Sequence, residues 1–199
     1  MPTGHHLRVG IFVFDDAEEL DVVGPYEVLT AWANTSELRP EVVTFSLDGN
    51  GIRCAKGLRL VPDVGLADLG DLHVLVYPGG SGTRPLLRDS AHLEWVRGMR
   101  SSTALMTSVC TGALVYAAAG LLSGRPATTH WSAFDELAVI DPSVLLDTEA
   151  RFVDDGDVVT SAGVSAGIDM ALHLVARLES VDAARAVRRE IQYDPEPPV

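Results

Sequence analysis

Lysine is almost missing from this 199-residue chain: Lys56 stands alone, and the other cationic side chains are arginines. Fifteen basic residues face 28 acidic ones, a formal net charge of -13. Nucleic acid and anionic membrane surfaces are read by faces rich in Lys and Arg, so neither is an expected partner. No apolar run approaches the roughly 20 residues a membrane helix requires. The opening Met1-Pro2-Thr3-Gly4-His5-His6 lacks the charged-then-apolar pattern of a secretion signal, so the cytoplasm is the expected compartment. Cysteine is scarce as well. Cys54 and Cys110 are expected to be reduced, and with six histidines they form no C-x-x-C, H-x-x-x-H or H-E-x-x-H spacing, so no metal site is expected. The phosphate-loop pattern G-x-x-x-x-G-K-[ST] does not occur either.

What the chain does contain is a series of short, β-branched apolar runs. Leu7–Phe14, Glu41–Leu47, His73–Tyr77 and the β-prone run that opens the stretch Thr103–Ala119 read as strands, several of them buried on both faces as in a parallel sheet. Helices are expected from Val22 to about Ala33, with Pro25 in the first turn, and from Ser90 to Arg100 with Leu93, Val96 and Met99 inward. Two more run from about Gly163 onward and from Val181 to Ile191. Small hairpins are expected at Ile52–Val61 and at Arg151–Ser161, and Pro62–Gly70 reads as a connection with room for one helical turn. There are no repeats and no linker, so residues 1–199 form one domain, with 1–6 and 194–199 as tails. Strands alternating with helices imply an α/β sheet layered by helices on both faces, whose ligands bind outside the carboxyl ends of the strands.

Three loops fall on that edge. One is the Cys110 turn, where within Thr103–Ala119 a β-prone run gives way to an Ala-rich helix former. A thiol at a helix start meets unpaired N–H groups, which favour the thiolate. The other reading of Cys110 is a buried small hydrophobe. The second loop carries Gly79-Gly80, which could aim N–H groups at a developing anion or form a plain tight turn. The third carries Asp21, either a first-turn helix acid or a carboxyl that exchanges a proton beside the thiol. Glu18 and Glu19 read as a flexible acidic turn, Cys54 as incidental and surface-oxidisable, and His130 as a hydrogen-bonded structural residue that could also reach the sheet edge.

Phe14…Glu19-Leu20-Asp21-Val22-Val23-Gly24-Pro25, Tyr77-Pro78-Gly79-Gly80 and Ser108-Val109-Cys110-Thr111-Gly112-Ala113 together resemble the ThiJ/PfpI superfamily. More narrowly, Ala118–Leu122, Ala127-Thr128-Thr129-His130-Trp131, Gly163–Asp169 and the Tyr193-Asp194-Pro195 tail look like those of bacterial isonitrile hydratases. The resemblance implies a flavodoxin-like α/β fold with a cysteine nucleophile elbow, a homodimer, no cofactor, and a small electrophilic substrate. It also implies that Cys110 attacks, Asp21 moves the proton, and Thr111, Gly79, Gly80, Gly163 and Val164 line the pocket and its anion-stabilising wall. PfpI-type proteases carry His directly after the nucleophile; Thr111 stands there instead, which points away from proteolysis. The same Cys-Thr-Gly and Thr-Thr-His-Trp motifs occur in amino-terminal domains of AraC-type regulators. The stretch after Tyr193 is too short for a helix-turn-helix module, so a stand-alone enzyme is the expectation. A glyoxalase-like attack on a 2-oxoaldehyde and a cysteine-based sensor are the alternatives.

Overall fold

A computed structural model describes residues 7–195. The apolar runs pair into a seven-stranded sheet. From the amino end, β1 (Arg8–Phe12), α1 (Glu19–Thr35) and β2 (Glu41–Ser46) form the first crossover. A small hairpin follows, β3 (Ile52–Arg53) and β4 (Arg59–Leu60), then the edge strand β5 (Val64–Gly65). Next come β6 (Val74–Tyr77), a single turn α2 (Thr83–Leu86), α3 (Ser90–Ser102), β7 (Leu105–Val109) and α4 (Gly112–Ala118). The last third contains β8 (Pro126–Ala127), α5 (Phe134–Ile140), β9 (Leu145–Leu146), β10 (Phe152–Asp154), β11 (Val158–Ser161), α6 (Ala166–Leu178) and α7 (Val181–Glu190).

The sheet order is β10-β11-β7-β6-β1-β2-β5, and only the β10–β11 pair is antiparallel. Counting β1, β2, β6, β7 and β11 in chain order, the parallel core runs 2-1-3-4-5, the flavodoxin-like arrangement. The fold is therefore the expected α/β sandwich. The chain steps outward from β1 to β2 and then back across to β6, so right-handed crossovers place α1 on one face and α3 and α4 on the other. On the first face α1 packs with α6 and α7. The crevice at the reversal opens between the carboxyl ends of β1 and β6, and the turn after β7 lies beside it.

Three expectations need correction. Pro25 lies seven residues into α1, not in its first turn, because Glu18 is extended and the helix begins at Glu19. Its missing N–H leaves the Asp21 carbonyl without a helical donor, and the ring packs towards Gly167 of α6. The Pro62–Gly70 connection holds, besides the expected helical turn (a 3-10 turn over Leu66–Asp68), the strand β5, which the sequence pattern does not show. The Glu18-Glu19 turn is pinned: Glu18 pairs with Lys56, and Glu19 Oε1 accepts the Lys56 N–H at 2.7 Å. The expected tails at 1–6 and beyond Pro195 lie outside the described residues; within the last expected tail, Arg188 Nη2 holds the Asp194 carboxylate at 2.7 Å.

Candidate active site

Between the end of β7 and the start of α4, Cys110 turns the chain with φ 56°. A side chain other than glycine in that region costs about 1–3 kcal/mol, so neighbours must hold it. They do so through its own peptide groups. Its N–H donates to the carbonyls of Ser161 (3.1 Å) and Ala162 (3.2 Å), and its carbonyl accepts the Thr129 hydroxyl at 2.7 Å. Gly112 must be glycine, since a Cβ there would stand 2.5 Å from the Tyr77 carbonyl oxygen. The sulfur accepts the N–H groups of Thr111 and Val164. These two donors do not make a resting thiolate. Burial, and then the Asp21 carboxyl beside it, push the thiol up to about 12. The expectation drawn from the helix start is overturned because desolvation outweighs what a seven-residue helix and two N–H groups return.

Asp21, in the first turn of α1, is fully buried. Its Oδ2 accepts the Gly79 N–H at 2.9 Å, and the carboxyl lies beside the Cys110 thiol, which helps to lower its pKa. Oδ1 has no hydrogen-bond partner among the described residues. Burial raises this carboxyl to about 7, against the pull of Gly79 and Cys110. At neutral pH the thiol is protonated while its neighbour is poised between acid and base. This is the position from which one carboxyl can take a proton from sulfur and give it elsewhere.

Gly79 and Gly80 work by what they leave out. A Cβ on Gly79 would lie 2.5 Å from Thr111 N and 2.9 Å from Asp21 Oδ2, and one on Gly80, at φ 118°, 2.3 Å from the Asp16 carbonyl. Their N–H groups are already taken: Gly79 donates to Asp21 and Gly80 to Thr111 Oγ1 at 2.9 Å. The free anion-stabilising donors expected of this pair are therefore absent, and the Thr111 hydroxyl is turned into the Gly80 loop, 3.2 Å from its carbonyl. The donors facing sulfur are the backbone N–H groups of Thr111 and Val164.

Val164 adopts φ 52° at the head of α6, and Gly163 makes room for His130: a Cβ there would stand 2.0 Å from the ring's Cδ2. Partial burial, and then Arg84, itself paired with Glu136 at 2.6 Å, keep His130 below its usual pKa. The structure thus brings Cys110, Asp21, Thr111, Gly79, Gly80, Gly163 and Val164 to one sheet edge. Cys54 lies apart from them. It is 2% exposed, not a surface thiol, and burial with Glu19 and Asp15 raises it to about 11. Thr129, inside the Thr-Thr-His-Trp motif, and the adjacent pair Thr83 and Arg84 of α2 are not among the expected site residues; the α2 pair carries no motif of its own.

Two further patterns invite other chemistry, and the geometry disposes of both. His92-Leu93-Glu94 has the His-x-Glu spacing of an amidotransferase triad, but His92 Nε2 lies 2.6 Å from the Tyr77 hydroxyl under the sheet. Gly163-Val164-Ser165-Ala166-Gly167 spells G-x-S-x-G, yet the strained residue is Val164, and Ser165 is an exposed helix start facing Arg151. Among the described residues no three His, Cys, Asp or Glu side chains cluster as metal ligands, and no helix is long and apolar enough to cross a membrane.

The profile of the DJ-1/PfpI family matches residues 7–177. Isonitrile hydratase of Pseudomonas putida is 38% identical over 192 residues, 96% of this chain and 81% of that protein. The HTH-type transcriptional regulator GbdR of Pseudomonas aeruginosa is 30% identical over 152 residues, 76% of this chain but 41% of its own length. Among solved structures, a ThiJ/PfpI family protein from Pseudomonas syringae superposes with a TM-score of 0.87 at 32% identity, covering 98% of this chain and 78% of that one.

Proposed function

We propose that this chain, which belongs to the DJ-1/PfpI family, is an isonitrile hydratase-like lyase that adds water to an isonitrile and yields an N-substituted formamide. The observation that carries this reading is the buried Asp21 carboxyl, raised to about 7, in contact with the Cys110 thiol. The terminal carbon of an isonitrile accepts a nucleophile and then needs a proton at that same atom. A thiol and a carboxyl sharing one proton supply both.

Asp21 takes the thiol proton as sulfur bonds to the carbon, then delivers it to that carbon, leaving a thioimidate on Cys110 and a carboxylate on Asp21. Water next attacks the carbon and gives a proton to Asp21, while the C=N pair moves to nitrogen, which takes a proton. On collapse the C–S bond breaks, sulfur regains its proton from Asp21, and Asp21 passes the hydroxyl proton to solvent. The Thr111 and Val164 N–H groups hold the sulfur as its charge builds. No step calls on a metal or organic cofactor. Thr111, where a protease carries its imidazole base, fits carboxylate-assisted addition. The reading includes a homodimer in the cytoplasm; sedimentation velocity tests the assembly.

The decisive assay is formamide production from an alkyl or aryl isonitrile. Wild type is expected to turn over and Cys110→Ala to leave only background; equal rates would sink the reading. A second reading, a cysteine sensor, draws on the likeness to a transcriptional regulator. Intact-mass detection of a sulfinate on Cys110, without formamide from isonitriles or lactate from methylglyoxal, would favour it.

A further inference from the structure

Hydration delivers protons to two atoms of the substrate, and Asp21 stands at only one of them. The nitrogen lies one bond farther from sulfur, beyond the carbon under attack. His130 is placed to serve that end. Its chain neighbour Thr129 is tied to the Cys110 carbonyl at 2.7 Å, which roots the ring beside the elbow. Nδ1 lies 2.8 Å from the Ser132 hydroxyl and accepts the Ser132 N–H at 3.3 Å, so a neutral ring carries its proton on Nε2. The ring's Cδ2 corner faces Gly163, where a Cβ would stand 2.0 Å from Cδ2 and 2.9 Å from both Cγ and Nε2. The next residue, Val164, aims its N–H at the sulfur. Nε2 has no hydrogen-bond partner among the described residues, while the ring is half-buried and Ser132 is exposed.

We infer that His130 is the acid for the substrate nitrogen: it donates its Nε2 proton as water adds to the thioimidate, and Ser132 resupplies Nδ1. The assignment rests on the hydratase reading and names a residue that reading left unassigned. As the water oxygen bonds to carbon, the C=N pair becomes a nitrogen lone pair and captures the Nε2 proton. Nδ1 takes the Ser132 hydroxyl proton, and solvent refills the hydroxyl. The hydroxyl proton released at collapse returns to solvent through Asp21, so protons balance over the cycle, and exchange with solvent restores the Nε2–H form. Burial, and then Arg84, lower the ring's pKa and so favour the neutral form this relay requires.

The first step, sulfur addition and protonation at carbon, does not involve His130, which gives a test with its own signature. Wild type, His130→Phe and His130→Gln are given an alkyl isonitrile, with formamide followed by chromatography and Cys110 by intact mass. General acid catalysis contributes on the order of a hundredfold, so His130→Phe is expected to lose about that much turnover. It should also accumulate a Cys110 adduct carrying the mass of one whole isonitrile, and His130→Gln should behave alike. A ring that serves only structure would lower turnover without the adduct. That outcome, or turnover within a factor of about three of wild type in both variants, overturns the assignment. If wild type itself makes no formamide, the hydratase reading falls and this assignment with it; active wild type with active variants removes this assignment alone.

Discussion

Cys110 and Asp21 form one titrating unit, and its sign can be worked through. Asp21 rises from 3.8, its ordinary value, to about 7 in the folded chain. Between those values the native state binds more protons than the unfolded one. The stability from a protonated Asp21 is therefore full below about pH 4 and is lost as pH rises towards 7, at up to about 1.4 kcal/mol per pH unit. Asp21→Asn, always neutral, is expected to lack that slope. Urea unfolding of both proteins across this window checks it, and identical slopes would mean that the carboxyl is not raised. The thiol was legible from a strand-to-helix change followed by Gly112, a local signal. Its protonation state was not, because it depends on burial and on a carboxyl from the far side of the sheet. The same holds for Thr129, whose hydroxyl fixes the elbow carbonyl from a segment that carries no periodic pattern.

Among the elements, the loop after β6 shows how a turn becomes a wall. Gly79 was read as a possible donor, and its position is better understood as a contact distance. An added methyl would meet Thr111 N at 2.5 Å and Asp21 Oδ2 at 2.9 Å, so the backbone, and not a flexible side-chain end, would have to move. Gly79→Ala is expected to destabilise by about 1–3 kcal/mol through overpacking and to abolish turnover by shifting Asp21 from sulfur. Gly98 in α3 is the matched control. A Cβ there meets nothing within 4 Å, and Ala is expected to stabilise the helix by about 1 kcal/mol with turnover unchanged. Thermal melts with the formamide assay check both, and a fully active Gly79→Ala would refute the contact argument. Elements long enough to show a period, such as α3 and β1, were readable. The two-residue β5 and the single turn α2 were not, being shorter than any period. The start of α1 is hidden from the sequence because Pro25 marks a first turn by its chemistry, whereas packing against α6 tolerates it inside the helix.

For the whole molecule, the parallel order was legible because strands buried on both faces read as unbroken apolar runs, and the crevice follows from that order. The distribution of a net charge of -13 was not legible, since charge placement has no period. The structure gathers part of the scarce positive charge into one knot. Arg125 hydrogen-bonds to the carboxylates of Asp155 and Asp157 and, at 2.7 Å, to the Asp155 carbonyl, while Arg100 also pairs with Asp157. This ties the start of β8 and the end of α3 to the β10–β11 turn, whose strand β11 holds the Cys110 N–H through Ser161. Arg125→Met keeps most of the stem but leaves two neighbouring carboxylates facing each other with Arg100 as their remaining partner. Losing charge-assisted hydrogen bonds that are partly exposed is expected to cost about 1–3 kcal/mol at low salt. The direction of the salt response then separates two causes. If the loss came from packing, added salt would leave it unchanged. If it comes from carboxylates repelling one another in an already acidic molecule, screening over about 10 Å at 0.1 M should recover part of it, and the variant should gain more stability from salt than wild type does. Urea unfolding of both proteins at low and high sodium chloride measures that difference, with the steeper rise expected for Arg125→Met; parallel salt slopes would assign the knot to packing alone.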